Sequence, residues 1–303
     1  MSKVSIVGAG NVGSTLALRL LQANLCDVVL LDVVAGKPQG LSLDLFQAEG
    51  ISRDRIHGTN DYRDTAQSDV VVIAAGATRQ PHMTRDQLLQ INSEIVRSVV
   101  PQILTFSPCP ILVVVTNPLD VITYLTWQIS QLPRERVLGM AGVLDSARFA
   151  SFIAEALAIS PRDVQAMVIG SHNDLMVPLP RYSSVAGIPV TELLPAPLIA
   201  DLVQRTRHGG AEIVNLLKTG SAFFAPSFGA WVMLEAILRD QPRLLPASVV
   251  LQGEYGLWDL CLGVPILLDK SGVKRIVQLS LTDDETHQLL LSAESVRPKI
   301  PPA

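Results

Sequence analysis

Residues 4–13 have the sequence VSIVGAGNVG, an apolar segment that runs directly into glycines spaced as GxGxxG. The apolar part is typical of a buried strand, and Ser14 to Asn24 carries leucines at helical spacing. In a strand–turn–helix unit the first glycine allows the tight turn, the second lets the backbone approach a pyrophosphate, and the third lets the helix pack closely on the strand. The residues expected to line a dinucleotide are Gly8, Ala9, Gly10, Asn11, Val12 and Gly13.

An acid at the end of the next strand strengthens this prediction. The apolar segment Asp27 to Val33 contains Asp32, nineteen residues beyond Gly13. A carboxylate at that place accepts hydrogen bonds from ribose hydroxyls and repels a 2′-phosphate, so NAD is favoured over NADP. The alternative is a solvated strand-end aspartate in a fold that binds no nucleotide.

Composition bounds the class of protein. A length of 303 residues with 48% hydrophobic residues predicts two domains with sizeable cores. The net charge of −4, without basic blocks, argues against a nucleic-acid partner. The three cysteines form no CxxC motif, so neither a metal site nor a disulfide framework is expected. No apolar run reaches the roughly 20 residues of a membrane helix, and no signal-peptide cleavage pattern is present, so a cytoplasmic protein is expected.

Apolar segments alternate with helical patterns through the first half of the chain. Further strands are predicted at 55–58, 69–75 and 110–116, with helices at 39–49, 86–105 and 119–131. This alternation indicates a doubly wound parallel sheet of the α/β class, a Rossmann domain over residues 1–143. Residues 144–303 are expected to form an α+β substrate domain. Its predicted elements are a strand at 163–170, helices at 195–218, 225–239 and 283–295, and antiparallel strands at 248–252 and 264–268.

Ligands of such sheets bind outside the carboxyl ends of the strands, and polar residues follow two of these ends. The segment 76–85 is marked by glycine and proline and carries Arg79 and Arg85, which is typical of a surface loop that folds over a ligand. After the strand at 110–116 come Asn117 and Pro118. Proline at a first helical position is favourable, and Asn117 either caps that helix or contacts a ligand.

The sequence GSHND at 170–174 follows an apolar run and contains the best-placed histidine, His172. Asp145 lies 27 residues upstream, and a helix there would place Arg148 on the same face, at i+3. A carboxylate, a guanidinium and an imidazole in one site can move a proton while holding an anionic substrate. The alternatives are a structural histidine and a surface ion pair worth a few tenths of a kcal/mol at most.

Several motifs together resemble those of the lactate/malate dehydrogenase family, and the likeness runs over nearly the whole chain. The motifs are Gly8–Gly13, Asp32, the Arg79-to-Arg85 loop, Asn92, Thr116–Asp120, Leu144–Arg148 and the run from His172 through Asp174 to Arg181. The lactate-dehydrogenase-like malate dehydrogenases are the most similar group.

The resemblance implies a role for each matching residue. His172 would accept the proton when a 2-hydroxy acid is oxidised, and Asp145 would hold the other imidazole nitrogen. Arg148 would bind the C1 carboxylate, and Arg85 would polarise the reacting C–O bond. The cofactor would be NAD, bound by Gly8, Ala9, Gly10, Asn11, Val12, Gly13, Asp32, Asn92, Val115 and Asn117, and Asn117 would also contact the substrate. The family usually forms homodimers or homotetramers.

Arg79 decides the substrate in this interpretation. It lies six residues before Arg85, where lactate enzymes of the family carry glutamine, and Gln80 is its neighbour. A guanidinium there pairs with the second carboxylate of malate or oxaloacetate. Leaving it unpaired in a closed site would cost on the order of a few kcal/mol, so a small dicarboxylate is the expected substrate.

Some residues depart from the family pattern. Ser171 and Asn173 stand where glycine is usual, His82 lies in the loop, and 226–231 is bulkier than expected for a helix that lines the substrate pocket. Asparagine tolerates left-handed backbone angles, so position 173 is expected to keep its shape. These departures leave two alternatives open: the same chemistry on lactate or another 2-hydroxy acid, and a catalytically weak NAD-binding protein.

Overall fold

The computed structural model describes residues 1–50, 52–77 and 83–300, and for Arg85 the backbone alone. Its first half contains six parallel strands, which are β1 (Lys3–Val7), β2 (Asp27–Leu31), β3 (Ile56–Thr59), β4 (Val70–Ile73), β5 (Ile111–Val114) and β6 (Val137–Gly139). They lie in the order β3-β2-β1-β4-β5-β6. The order reverses between β1 and β4, and this switch point is where a doubly wound sheet opens a crevice for a ligand.

Helices connect the parallel strands. They are α1 (Asn11–Gln22), α2 (Lys37–Glu49), α3 (Arg85–Phe106) and α4 (Leu119–Ser130). A capping box starts α3, because Thr84 accepts from the Gln87 main chain and the Gln87 side chain accepts from Thr84. α4 begins at Leu119, as the helix predicted at 119–131 required, but the predicted cap is wrong. Pro118 is the N-cap residue after a cis Asn117–Pro118 bond, and Leu119 is the first helical residue, so Asn117 does not cap this helix.

The second half mixes helices with short and long strands. The helices are α5 (Gly142–Leu157), α6 (Val190–Leu193), α7 (Ala196–Leu217), α8 (Phe224–Leu238) and α9 (Asp283–Val296). The short strands are β7 (Val164–Gln165), β8 (Val168–Ile169), β9 (Val177–Pro178), β10 (Ser184–Val185) and β11 (Ile188–Pro189). The long strands are β12 (Arg243–Gln252), β13 (Trp258–Asp269) and β14 (Gly272–Ile276). This half is α+β, and the α/β class predicted for the first half is confirmed.

The long strands extend the parallel sheet to nine strands. β12, β13 and β14 form an antiparallel meander, and β12 pairs antiparallel with β6 through Ser248 and Gly139. One hydrophobic core continues across this join, since Leu16 and Val28 belong to the same buried cluster as Val249. The two halves therefore share a sheet and a core.

Three predicted strands of the second half differ from the observed ones. The segment 163–170 is not one strand, because β7 pairs with β10 while β8 pairs with β9 in a separate sheet. β12 and β13 are longer than predicted and run through Pro246 and Pro265, which face each other in register. Of the described helices, none has the length and apolar content to cross a bilayer. No group of His, Cys, Asp and Glu suited to a metal ion occurs in the described ranges.

Candidate active site

The glycine turn follows β1 at the switch point of the sheet. Gly8 has φ +112°, and a Cβ there would lie 2.5 Å from the Ala75 nitrogen at the end of β4. A Cβ on Gly13 would overlap the Gly8 carbonyl oxygen, so α1 packs directly on the turn. Gly10 differs, because nothing lies within 4 Å of the position its Cβ would take. The chain thus leaves open the space that a pyrophosphate fills when a dinucleotide binds at a helix N-terminus.

Asp32 lies beside this turn at the end of β2. One carboxylate oxygen accepts the Ala9 N–H at 2.8 Å and the other accepts the Val34 N–H at 3.0 Å. The Lys37 ammonium lies 3.2 Å from the first oxygen. Partial burial disfavours the charge, but the Val34 N–H and the Lys37 ammonium outweigh it and lower the pKa of Asp32. A fixed carboxylate is therefore available to ribose hydroxyls.

Asn92 joins the carboxyl ends of β4 and β5. This buried residue of α3 accepts the Ala77 N–H at 2.7 Å and donates to the carbonyl oxygens of Asn117 and Ala77 at 2.6 and 3.3 Å. Both of its amide hydrogens are used on main chain, so the structure shows Asn92 holding two strand ends together. Val115 directly follows β5 and is half-buried, and Asn117 is exposed.

His172 contacts Asp145 of α5, and Asp145 in turn contacts Arg148 of the same helix. Its Nδ1 lies 2.8 Å from an Asp145 oxygen, and the other Asp145 oxygen lies 3.4 Å from Arg148 Nη1. The side-chain exposures are 15% for His172, 3% for Asp145 and 13% for Arg148. Asp145 and Arg148 share one face of α5, as their spacing predicted. The structure therefore brings the three residues together in a half-enclosed group.

The charges of this group favour a protonated imidazole. Burial alone lowers the pKa of His172, but the Asp145 carboxylate outweighs burial and raises it above its ordinary value. Arg148 opposes that rise through its positive charge. Its Nε is buried and has no hydrogen-bond partner among the residues that the structure describes. A guanidinium with an unused donor beside a histidine suits an anionic ligand that carries an exchangeable proton.

The predicted site also includes two arginines of the loop at 76–85, whose side chains lie outside the described part of the chain. Arg79 lies outside the described residues, as do Gln80 and His82. Arg85 is the first residue of α3, and its side chain is likewise outside the description. The roles of Arg79 and Arg85 stay predictions.

Two contacts of the histidine segment had no counterpart in the sequence analysis. Asp120, in the first turn of α4, accepts the His172 main-chain N–H at 2.7 Å and the Ser248 hydroxyl at 2.7 Å. Ser171 donates its N–H to the Ser292 hydroxyl of α9 at 2.7 Å. The sequence offered one signal for the first contact: Asp120 is the charged residue of a mostly apolar helix, which calls for a buried partner.

The expectation for Asn173 is wrong in its reason. The residue with positive φ in this segment is Gly170, at +87°, and Asn173 does not have a left-handed backbone. The Asn173 side chain instead donates to the Ser295 hydroxyl at 3.0 Å and accepts the Leu175 N–H at 2.7 Å. The side chain is thus held by α9 and by its own turn.

The bulky residues of 226–231 contact each other and α1. The Phe228 and Trp231 rings stack with centroids 5.6 Å apart, and the Arg19 guanidinium of α1 lies 5.4 Å from the Phe228 centroid. The small residue Ser227 is buried and donates to the Val12 carbonyl oxygen at 3.0 Å. The helix therefore packs its small residue against the glycine turn.

A cavity of about 480 Å³ lies at the other edge of the sheet, near the amino ends of β1, β4 and β5. Its cations are already paired or bonded: Lys270 lies 2.7 Å from Asp240, and Arg136 donates to the Cys109 carbonyl oxygen at 2.6 Å. Ligands of parallel sheets bind at the carboxyl ends, where His172 and the glycine turn lie. We therefore assign the active site to that edge despite the size of the cavity.

Comparison with known proteins agrees with this geometry. A family model described as the NAD-binding domain of lactate/malate dehydrogenase matches residues 2–139, and the model of the alpha/beta C-terminal domain matches 142–302. A malate dehydrogenase of Trichormus variabilis is 56% identical over 302 residues, which are 99% of this chain and 93% of the relative.

Solved structures are similar over the same extent. The malate dehydrogenase of Salinibacter ruber has 46% identity and a TM-score of 0.93, covering 98% of this chain and 96% of its own. A lactate dehydrogenase of Cryptosporidium parvum, complexed with lactic acid and nicotinamide adenine dinucleotide, has 38% identity and a TM-score of 0.94, covering 99% and 96%. As its motifs predicted, the chain belongs to the lactate/malate dehydrogenase family of oxidoreductases and carries that family's NAD-binding domain.

Proposed function

We propose that the protein is an NAD-dependent malate dehydrogenase that interconverts (S)-malate and oxaloacetate. The observation that carries the proposal is the contact of His172 Nδ1 with Asp145 at 2.8 Å, beside the Arg148 guanidinium. This group can exchange a proton with a 2-hydroxy acid while binding its carboxylate. The names of the relatives support malate as the substrate.

The side chains divide the work between proton transfer and binding. His172 takes the hydroxyl proton in oxidation and returns it in reduction, because only imidazole has an ordinary pKa near neutrality. Asp145 fixes which imidazole nitrogen carries hydrogen and stabilises the imidazolium. Arg148 binds the C1 carboxylate through two parallel hydrogen bonds. When bound, the nicotinamide supplies the hydride acceptor or donor.

The cofactor residues are the glycine turn Gly8–Gly13, Asp32, Val115 and Asn117. Open space at Gly10 and the carboxylate of Asp32 support this proposal. Asn92 contributes by holding the Ala77 and Asn117 main chain rather than by donating its amide hydrogens to the ligand.

Arg79 selects the second carboxylate of the substrate, and Arg85 polarises the reacting C–O bond. The argument for Arg79 is one of charge: a guanidinium closed into a site with the pyruvate methyl group would lose its solvation without gaining a partner. The discrimination against pyruvate is expected to reach orders of magnitude.

The experiment compares NADH oxidation with oxaloacetate and with pyruvate. Oxaloacetate is expected to have the higher kcat/KM, and Arg79→Gln should lower the oxaloacetate-to-pyruvate ratio by about 10²-fold or more. Gln80→Ala is the matched control at the adjacent position and should keep the wild-type ratio. Faster NADH loss with pyruvate in the wild-type protein would contradict the proposal. Binding of NADH in calorimetry without turnover of any 2-keto acid would favour a catalytically weak NAD-binding protein.

We further propose a homodimer or homotetramer in the cytoplasm, with a Rossmann domain over 1–143 and a substrate domain over 144–303. Exposed apolar side chains at the end of α7 and the start of α8 support self-association, since Leu216 is 75% and Phe224 65% exposed. Sedimentation equilibrium tests it: Leu216→Glu should weaken association, and a monomeric wild-type protein would contradict the proposal.

A further inference from the structure

Asp120 connects three distant parts of the chain at the active site. It lies in the first turn of α4 and is 4% exposed. One of its carboxylate oxygens accepts the His172 N–H, from 52 residues away, and the other accepts the Ser248 hydroxyl of β12, from 128 residues away. Both bonds measure 2.7 Å. The N-terminal half of the chain thereby holds the main chain of a histidine that belongs to the C-terminal half.

We propose that Asp120 is a positioning residue for the reaction, fixing the His172 main chain while Ser248 orients the Asp120 carboxylate. This inference rests on the proposed function, in which His172 moves the proton. Asp145 fixes the ring through Nδ1, and Asp120 fixes the backbone from which the ring extends. Because both the ring and its backbone are held, the orientation of the remaining ring nitrogen, Nε2, is fixed. A displacement of about 1 Å at such a group costs roughly 10²-fold in rate.

The negative charge of Asp120 has its own effect. An asparagine oxygen would accept the same N–H without the cost of burying a charge, so a carboxylate at this place calls for an electrostatic reason. Burial raises the pKa of Asp120, while the Ser248 hydroxyl and the His172 N–H oppose that rise. In its ionised form Asp120 helps to raise the pKa of His172. Asp120 thus supports the imidazolium by charge as well as by position.

The other titratable or charged groups near this pair lie on α5 and β13. Asp145 raises the pKa of His172 more than Asp120 does, and Arg148 lowers it. The buried Cys261 thiol of β13 lies close enough to Asp120 for the carboxylate to contribute to its raised pKa. The effect of a substitution at Asp120 must therefore be measured in a protein that keeps Asp145 and Arg148.

The experiment uses Asp120→Asn in the full-length protein. The amide oxygen can accept the His172 N–H and the amide hydrogens can reach the Ser248 oxygen, so the shape is kept and the charge is lost. We expect kcat with oxaloacetate to fall about 10- to 100-fold while KM for NADH stays within about twofold. The pH at which kcat/KM falls on the alkaline side should move down, because His172 loses its proton more easily. Asp283→Asn is the control: it removes an exposed carboxylate from the first turn of α9 and should change neither quantity.

A second readout separates this inference from the proposed function. Diethyl pyrocarbonate acylates neutral imidazole, and peptide mass spectrometry follows His172 alone across pH without any turnover. Asp120→Asn should make His172 reactive at lower pH than in the wild type. If the wild type fails to reduce oxaloacetate, the proposed function fails while this titration still tests Asp120.

Two outcomes would overturn the inference. One is wild-type kcat together with wild-type titration of His172 in Asp120→Asn, even if its melting temperature falls. The other concerns Ser248→Ala, which is used if Asp120→Asn does not fold. Ser248→Ala keeps the charge of Asp120 but removes one hydrogen bond to its carboxylate. We expect a several-fold lower kcat at an unchanged KM for NADH. An unchanged kcat in Ser248→Ala would then count against the positioning role.

Discussion

The imidazole of His172 is held between opposing influences on its charge. Burial favours the neutral ring, and the Asp145 carboxylate at 2.8 Å favours the protonated one. The carboxylate prevails, so the pKa of His172 is raised. Reduction of a keto acid needs the protonated ring and oxidation of the hydroxy acid needs the neutral ring, so one ionisation sets opposite pH limits for the two directions.

The first prediction concerns these limits. In the reduction direction kcat/KM should hold its plateau to higher pH than an ordinary histidine allows and then fall as His172 loses its proton. In the oxidation direction kcat/KM should fall as the pH drops through the same pKa. Asp145→Asn removes the main cause of the raised pKa, so both limits should move to lower pH and kcat should fall. The measurement is the pH dependence of kcat/KM in both directions, and limits that stay in place in Asp145→Asn would contradict it.

How far a residue could be predicted depends on how far away its partners lie. Asp145 and Arg148 lie on one helical face, and their spacing was enough to place them together. For Asp120 the sequence indicates that a buried partner is needed, but the partners come from 52 and 128 residues away, so no local pattern identifies them. Asn92 was expected to contact the cofactor, yet its donors bond main chain that only the folded sheet brings near.

The turn between β1 and α1 depends on glycine for different physical reasons at different positions. At Gly13 the reason is packing, because a Cβ would overlap the Gly8 carbonyl oxygen. At Gly10 the protein itself leaves the space open, and the backbone φ of −83° suits any residue. The third glycine therefore serves the fold and the second serves the ligand.

The second prediction uses this difference as a matched pair. Gly13→Ala should lower the free energy of unfolding by at least about 2 kcal/mol, because α1 must move away from the turn. Gly10→Ala should cost at most about 1 kcal/mol, as a weaker N-cap, but should raise the dissociation constant of NADH by an order of magnitude or more. Urea unfolding and calorimetric titration with NADH measure the two effects. An equal loss of stability in both variants would contradict the conclusion that Gly13 serves the fold and Gly10 serves the ligand.

The C-terminal helix α9 holds the histidine segment from its other side. The Ser292 hydroxyl is fully buried and accepts the Ser171 N–H at 2.7 Å, and the Ser295 hydroxyl accepts from Asn173. Ser171 and Asn173 are the positions at which the resemblance leads us to expect glycine. The Ser171 hydroxyl lies 2.8 Å from the Ser292 hydroxyl, so both extra side chains have hydrogen-bond partners on α9.

The third prediction tests this helix. Ser292→Ala leaves the buried Ser171 N–H without its acceptor and should cost about 1–3 kcal/mol of unfolding free energy. It should also lower kcat, because the segment that carries His172 loses a support. Ser151→Ala, at an exposed helical serine of α5, should stay within about 0.5 kcal/mol of wild type. Wild-type stability in Ser292→Ala would mean that α9 does not hold this segment.

Local sequence pattern predicted whether a segment forms a strand or a helix, but it did not predict where the segment ends or which strand it pairs with. The apolar runs that became β4 and β5 are buried along their whole length, as a sheet covered on both faces requires. The run at 163–170 looked like one strand, but its halves pair with different neighbours. The strands predicted at 248–252 and 264–268 cover only part of β12 and β13, and the first of them stops short of Pro246. The pairing of Pro246 with Pro265 across the strands is a tertiary arrangement.

At the scale of the molecule, the sheet unites the two halves. β6 is the last parallel strand, and β12 adds to it the antiparallel meander of the C-terminal half. The active site uses the same join, since Ser248 of β12 bonds Asp120 of α4 next to the Ser248–Gly139 pair. Separating the halves would expose the shared core and, at the same time, break the hydrogen bonds that hold His172.

The last prediction follows from this join: the protein should unfold in one transition, and NADH should move that transition as a whole. At a free concentration a hundred times its dissociation constant, NADH should add about 2.7 kcal/mol, a shift of several degrees at fixed protein concentration. Tryptophan fluorescence can report on each half, since Trp127 lies in α4 while Trp231 and Trp258 lie in α8 and β13. In Trp127→Phe the remaining tryptophans report on the second half, and in the double variant Trp231→Phe with Trp258→Phe, Trp127 reports on the first half. In each variant the unfolding midpoint from fluorescence should coincide with the midpoint from calorimetry. Two separate heat-absorption peaks, of which NADH moves only the one reported by Trp127, would show that the shared sheet does not couple the halves.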